Sequence, residues 1–241
     1  MSRGSQDACE VVAATAAAAP FVLTCEHASA RLPEPWRWSA ADHWIAQTHW
    51  AYDLGAEALT RELSAAAGAP AVLARFSRLL VDPNRPGDDP TAFRERAEGR
   101  LIELNQNLTA EDRARRLAYG SAYHLACERA VDDCPATVVL AIHSFTTEYE
   151  GQRRDDIELG VLFDDQESLG RRLAETLAPV SALVHLNRPY SGSQGMIYSA
   201  DRHARRAGKR AVEIEVRQDL AVDEAFRRRL VEAIAGTPWW V

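Results

Sequence analysis

A chain of 241 residues, 46% hydrophobic and 26% charged, has the composition of a soluble globular protein with ample material for a buried core. Its formal charge of -7, with arginines scattered among acids rather than gathered in a stripe, excludes a nucleic-acid protein, although local arginines could still hold a small acidic ligand. No apolar run is long enough to span a bilayer, so no membrane partner is expected.

Residues 1–18 read as a flexible or weakly helical leader, and residues 19–241 as a single domain. The alanines from Ala13 to Ala19 hint at an export signal, but Asp7 and Glu10 spoil its basic start. Cys9, Cys25, Cys127 and Cys134 form no CxxC pair and read as reduced, mostly buried thiols. Both points favour a cytoplasmic protein.

Phe21–Cys25 is the first apolar strand, and a loop with Pro33 and Pro35 follows. From Ser39 the pattern turns helical, with Ser39 as N-cap and Asp42 in the first turn. A second helix is predicted over Tyr52–Ala67, stopped by Gly68, and then a strand over Ala71–Phe76 that Leu79-Leu80-Val81 could continue. Asp82–Pro90 is a polar, proline-dense loop of the kind that carries function. A long helical region comes next, broken near Asn107, and Thr109 with Asp112 starts a helix running to about Asp132.

Thr137–Ile142 is a β-branched buried strand, followed by a strand at Glu158–Phe163, a helix at Gln166–Leu177 and a short β-like stretch at Ala182–Leu186. After the turn-rich Asn187–Gly192 come a helix at Ser199–Ala207, the last core strand Ala211–Val216 and a helix from Asp223 to Ala235. Strands alternating with helices predict an α/β fold: a three-layer sandwich around a mixed, mainly parallel sheet.

Two strands end on histidines, Phe21–Cys25 on Glu26-His27 and Thr137–Ile142 on His143. The C-terminal edge of such a sheet is where ligands bind, and imidazole is the commonest metal ligand. Zinc at a catalytic site takes three protein ligands, so a third is needed. His49 is the leading candidate, with Asp53 four residues later on the same face of the predicted helix, able to orient His49 or bind metal directly. A histidine acid/base site without metal is the rival. The other histidines (His43, His124, His185 and His203) read as structural or surface residues.

A carboxylate is also needed as base. In the last strand Glu213, Glu215 and Arg217 share one face, which brings Glu215 and Arg217 towards the site; Glu26 competes for the base role. Asn84-Arg85 suits a substrate carboxylate, and Arg78 suits an oxyanion. Gly151-Gln152-Arg153-Arg154 reads as a further anion contact or a solvated turn.

Several blocks occur in order: Cys25-Glu26-His27-Ala28-Ser29, His49–Ala56, Ser77–Arg85, His143-Ser144-Phe145-Thr146, Asn187–Gly192 and Glu215–Leu220. Together they resemble the N-formylglutamate amidohydrolase family, over residues 21–220. The resemblance implies a zinc exopeptidase-like fold (phosphorylase/hydrolase-like), related to carboxypeptidases and aspartoacylases. It implies Zn2+ held by His27, His143 and a third ligand. The glutamate that the wider superfamily places three residues after the first histidine is replaced here by Ala30, and His49 fills a position where family members can carry aspartate. It further implies Glu215 as general base, Arg78 polarising the carbonyl, and Asn84 and Arg85 holding the substrate carboxylate, with Arg217 nearby and Asp53 and Glu26 supporting.

The implied reaction is hydrolysis of an N-formyl or N-acyl amino acid, a small-molecule substrate, to a carboxylic acid and a free amino acid. The chain has the Cys-Glu-His-Ala-Ser style of the family rather than that of histidine-degradation enzymes, which leaves the acyl group and amino acid open. The alternatives are a zinc carboxypeptidase on short peptides and a non-catalytic metal- or ligand-binding protein on the same fold.

Overall fold

The apolar runs of the sequence become the strands of one sheet. In the computed structural model, which describes residues 7–241, strands β1 (Cys9–Val12) and β2 (Val22–Cys25) precede a turn-rich segment, helix α1 (Ala56–Ala67) and strand β3 (Ala71–Ala74). A hairpin of β4 (Arg96–Ala97) and β5 (Arg100–Leu101) leads to the long helix α2 (Ala110–Asp133). Next come β6 (Val138–Phe145), a second hairpin of β7 (Glu148–Tyr149) and β8 (Gln152–Arg153), β9 (Leu159–Leu162) and α3 (Glu167–Leu177). The chain finishes with β10 (Val184–Leu186), α4 (Tyr198–Arg206), β11 (Arg210–Arg217), α5 (Gln218–Ala221) and α6 (Glu224–Gly236).

Seven strands form the main sheet in the order β1-β3-β2-β6-β11-β9-β10. The β3-β2, β2-β6, β6-β11 and β9-β10 pairs are parallel; β1 against β3 and β9 against β11 are antiparallel. Helices α1, α3 and α6 pack together on one face, and α2 and α4 on the other. This is the α/β three-layer arrangement with a mixed, mostly parallel sheet. All eight residues of β6 are buried, because a central strand covered on both faces has no solvent side.

Several local expectations are corrected. Cys9–Val12 falls in the stretch read as a flexible leader, yet it pairs with β3, Cys9 opposite Ala74 and Val12 opposite Ala71. An edge strand of four residues with Val11 half exposed offers little pattern to read, and its hold comes from the ladder and from Arg61, which donates two 2.7 Å hydrogen bonds to Glu10. Residues 1–6 of that leader lie outside the described residues.

Ser39 does cap, its Oγ accepting from Asp42 N at 3.2 Å, but only a single 3-10 turn follows, and residues up to Gly55 run through successive turns. Helix α1 starts at Ala56 rather than Tyr52. Gly55 has φ 81, and a Cβ there would lie 2.3 Å from the carbonyl oxygen of Ala221, so the turn needs glycine. The predicted long helix between residues 91 and 107 is replaced by two 3-10 turns and the β4–β5 hairpin. That hairpin and β7–β8 both turn on a Glu-Gly pair with positive φ, Glu98-Gly99 and Glu150-Gly151. Thr109 caps α2 as expected, its Oγ1 accepting from Asp112 N at 3.1 Å.

Candidate metal centre

Strands β2, β6 and β11 run parallel side by side, so their C-terminal ends share one edge of the sheet. Chain direction alone therefore brings His27, just past β2, to the sixth residue of β6, His143, and to Glu215, which lies opposite His143 in the β6–β11 register. Asp53 reaches the same point because its N–H donates to the carbonyl of His27 at 2.9 Å. Gly160 on β9 lies opposite Glu215 from the other side. A Cβ at Gly160 would fall 2.1 Å from Arg188 O and 3.3 Å from Glu215 Cβ, so the absence of a side chain there leaves Glu215 its place.

His27 Nδ1 and His143 Nδ1 are 3.1 Å apart, and Asp53 Oδ2 lies 3.4 Å from the first and 2.8 Å from the second. The other ring nitrogens face carboxylates: His27 Nε2 is 2.7 Å from Asp82 Oδ1, and His143 Nε2 is 3.0 Å from Glu26 Oε2. A carboxylate can only accept; in the tautomer that a metal ligand needs, each imidazole donates Nε2–H to its outer carboxylate, Asp82 or Glu26, and turns its Nδ1 lone pair inward. Two lone pairs and a carboxylate oxygen this close repel unless a positive charge sits among them. Atoms held about 2.0–2.1 Å from a tetrahedral zinc lie roughly 3.3 Å from one another, close to the spacing seen. The donor set thus fits a divalent ion, with Asp82 and Glu26 as the outer carboxylates that fix ligand histidines elsewhere.

Burial and charge tell the same story. Burial pushes Glu213 up to about 7 and raises Glu215 well above the usual range, with the Glu213 charge adding to the second. Burial would raise Glu26 too, but the hydrogen bond and charge of His143 hold it at about 2. Asp53 and Asp82 stay below the usual carboxylate range against burial, Asp53 through the two imidazoles, Asp82 through Arg78 and His27. Burial disfavours an imidazolium at His143, yet Glu213, Asp53 and Glu26 raise it well above its ordinary value. The centre holds an excess of negative charge that a proton or a divalent cation relieves, and a bound cation displaces the proton.

The cavity over this cluster, about 240 Å³, is lined by His27, Asp53, His143, Glu213 and Glu215 together with arginines. Glu213 and Glu215 are 1% and 5% exposed, and the Oε2 atom of each has no hydrogen-bond partner among the described residues, although Glu213 Oε2 lies 3.6 Å from His143 Nε2. With His143 they form a second group of close ligand atoms. Glu26 is fully buried below, accepting from the Tyr123 hydroxyl at 3.0 Å, and does not line the cavity.

His49 stands apart from the cluster. It lines the cavity and packs against Trp50, but the cluster of mutually close ligand atoms is His27, Asp53 and His143. The expectation assumed a helix from residue 52 that would place residues four apart on one face; the segment is a series of turns, and Asp53 rather than His49 points at the histidines. Arg217 also stands apart: its guanidinium bonds Asp219 at 2.8 and 3.1 Å and the Ile157 carbonyl at 3.2 Å, outside the cavity. Asn84 lines the cavity, but both ends of its amide are engaged, Nδ2 donating to Met196 O at 2.7 Å and Oδ1 accepting from Ser199 N at 3.0 Å. It braces the 196–199 segment from the cavity wall.

Arg78 and Arg85 do line the cavity. Arg78 donates to Asp82 Oδ2 at 2.8 Å; Arg85 donates to the Asn84 carbonyl at 2.7 Å and lies 3.4 Å from Met196 Sδ. Residues that sequence reasoning missed are Asp82, Arg94, Tyr149 and Tyr190. Asp82 was within reach, since it opens the Asp82–Arg85 block; Arg94 is one arginine among many and carries no local signal. Arg154 stacks over Phe145, Tyr149 and Tyr190 and donates to the Tyr190 hydroxyl at 3.1 Å, so the candidate anion contact is a brace for an aromatic wall.

No helix among the described residues is long and apolar enough to cross a membrane. No curated protein sequence matches the chain. Among solved structures, gene product Atu2144 from Agrobacterium tumefaciens superposes with a TM-score of 0.88 at 30% identity, over 99% of this chain and 96% of that one. N-formylglutamate amidohydrolase from Ralstonia eutropha JMP134 shares the fold, with a TM-score of 0.70 at 18% identity over 95% and 97% of the two chains. The family model for N-formylglutamate amidohydrolase matches residues 19–222, a span that contains His27, Asp53, His143, Glu213 and Glu215. Fold, buried cluster and this match together make the protein a metal-dependent hydrolase of the amidohydrolase type. The chain belongs to the N-formylglutamate amidohydrolase family.

Proposed function

We propose that the protein hydrolyses the amide bond of an N-formyl or N-acyl amino acid, with Zn2+ held by His27, Asp53 and His143. The observation that carries this reading is the pair of inward-facing Nδ1 atoms closed by Asp53, next to buried glutamate oxygens that have no hydrogen-bond partner among the described residues. An ion of this kind supplies Lewis acidity that polarises the amide carbonyl and acidifies a water.

The residues around it divide the remaining work. Glu215 takes the proton of the attacking water and returns it to the departing amine, the two transfers general acid–base catalysis requires. Arg78, fixed by Asp82, donates to the carbonyl oxygen as charge develops there. Arg85 takes the carboxylate of the amino-acid half, which turns recognition into alignment of the amide over the ion. Asn84 acts through Arg85, whose guanidinium donates to the Asn84 carbonyl. Tyr149 and Tyr190 wall the site and thin out competing water.

The test is turnover on a panel of N-formyl and N-acetyl amino acids, before and after chelation and with zinc restored. The expected result is cleavage of at least one member that chelation abolishes and zinc returns. Absence of metal-dependent cleavage across the whole panel sinks the reading.

A further inference from the structure

The two histidines of the cluster rest against outer carboxylates that are held in different ways. Asp82 is fixed from several sides: Arg78 donates to its Oδ2 at 2.8 Å, the Asn84 N–H donates to its Oδ1 at 2.9 Å, and His27 Nε2 lies 2.7 Å from that same oxygen. Glu26 is fully buried, with Oε2 3.0 Å from His143 Nε2. Among the described residues one further hydrogen bond reaches its carboxylate, from the Tyr123 hydroxyl to Oε1 at 3.0 Å. The buried Ser199 hydroxyl favours the Glu26 charge but makes no hydrogen bond of its own. A buried carboxylate is costly unless its oxygens are matched, and a partner on each oxygen fixes its plane where a single partner leaves it free to turn.

Tyr123 comes from helix α2, far along the chain from Glu26. Its ring is buried in an apolar cluster with Phe76, Leu80 and Cys127. That packing is the work of an ordinary core aromatic, and phenylalanine would do it equally well. The hydroxyl is the part that packing leaves unexplained. Burial raises its pKa well above the usual phenol value, so it remains a donor, and its acceptor is the carboxylate that meets His143.

We propose that Tyr123 is a positioning residue for the metal centre: its hydroxyl sets the plane of Glu26, and Glu26 in turn holds His143 with Nε2–H outward and Nδ1 aimed at the ion. This rests on the zinc site proposed above, one of whose ligands it orients from behind. Tyr123 does not line the cavity, so the influence of its hydroxyl on the metal runs through Glu26 and His143. Helix α2 thus acts on the site without touching it.

The experiment measures zinc affinity by competition with a chromophoric chelator on wild type, Tyr123→Phe, Glu26→Gln and the double variant. The visible spectrum of each cobalt-loaded protein accompanies it. Tyr123→Phe is expected to weaken zinc about tenfold and Glu26→Gln by about 10–100-fold, the range for loss of a partner behind a ligand. The double variant should bind no more weakly than Glu26→Gln alone, because groups acting in one chain are not additive. The cobalt bands of Tyr123→Phe should shift towards those of Glu26→Gln. Wild-type zinc affinity in Tyr123→Phe overturns the proposal. So does a weakening of the same size when Glu26 is already glutamine, which would mark lost packing instead. Glu26→Asp tests the chain without touching Tyr123, since its carboxylate is one methylene too short to span both partners. It is expected to weaken zinc about tenfold, within the same range, and unchanged affinity there also overturns the proposal. A wild type that binds no zinc removes the zinc site and this proposal together, whereas normal wild-type binding left unchanged by Tyr123→Phe removes the proposal alone.

Discussion

Replacing Glu215 by glutamine is expected to leave the metal in place and to lower kcat by about 10²–10⁴-fold, the usual contribution of a positioned proton carrier. The substitution keeps size and shape, so the β6–β11 register and the glycine opposite, Gly160, still leave the side chain where it was. What it removes is the ability to accept a proton. Metal content by mass spectrometry and kcat from amide turnover, measured on the same sample, check both halves. Near-normal turnover in that variant would transfer the base role to Glu213, which lines the same cavity and also has an oxygen without a hydrogen-bond partner among the described residues. Glu26, the competitor suggested by sequence, is occupied below by Tyr123 and His143.

Asp53→Ala is expected to weaken zinc binding by more than about 100-fold, beyond the 10–100-fold that loss of an outer-sphere partner produces. Among the described residues it removes the carboxylate that faces both inward nitrogens, which would leave two of the three ligands proposed above. The matched comparison is His49→Ala, which should retain one equivalent of zinc. A competition titration against a chromophoric chelator reads both. The opposite pattern, with zinc lost from His49→Ala and kept by Asp53→Ala, would restore His49 as the third ligand and show that the 43–55 segment rearranges when metal binds.

The α/β class and the two histidine-bearing strand ends were legible because each is written in local pattern: short β-branched runs, each stopping on a polar residue at the same end. The centre's third member was not. Asp53 and His49 are both polar residues near a helix start, and choosing between them needs the backbone path through residues 43–55. That path is set by buried polar contacts such as Asp42 accepting from the N–H groups of Glu103 and Leu104 at 2.9 and 2.8 Å, more than sixty positions away. The expected carboxylate contacts of Asn84 and Arg217 are open to a related difficulty. Residue type and proximity to a motif say that a group can bind a carboxylate; only the folded chain shows that Met196, Ser199 and Asp219 have already engaged it. The hairpins β4–β5 and β7–β8 were invisible because each strand is two residues long and alternation has no room to appear.

The strand found where a loose leader was expected has a further consequence for handling the protein. The family match begins at residue 19, beyond β1, so trimming to that boundary would strip the sheet of its outermost ribbon. The rim left behind would be Ala71-Val72-Leu73-Ala74, an uncharged stretch with its amide groups open to another molecule. In the intact chain the rim carries Glu10 with its arginine partner instead, so these four residues act as a guard against stickiness as much as a part of the fold.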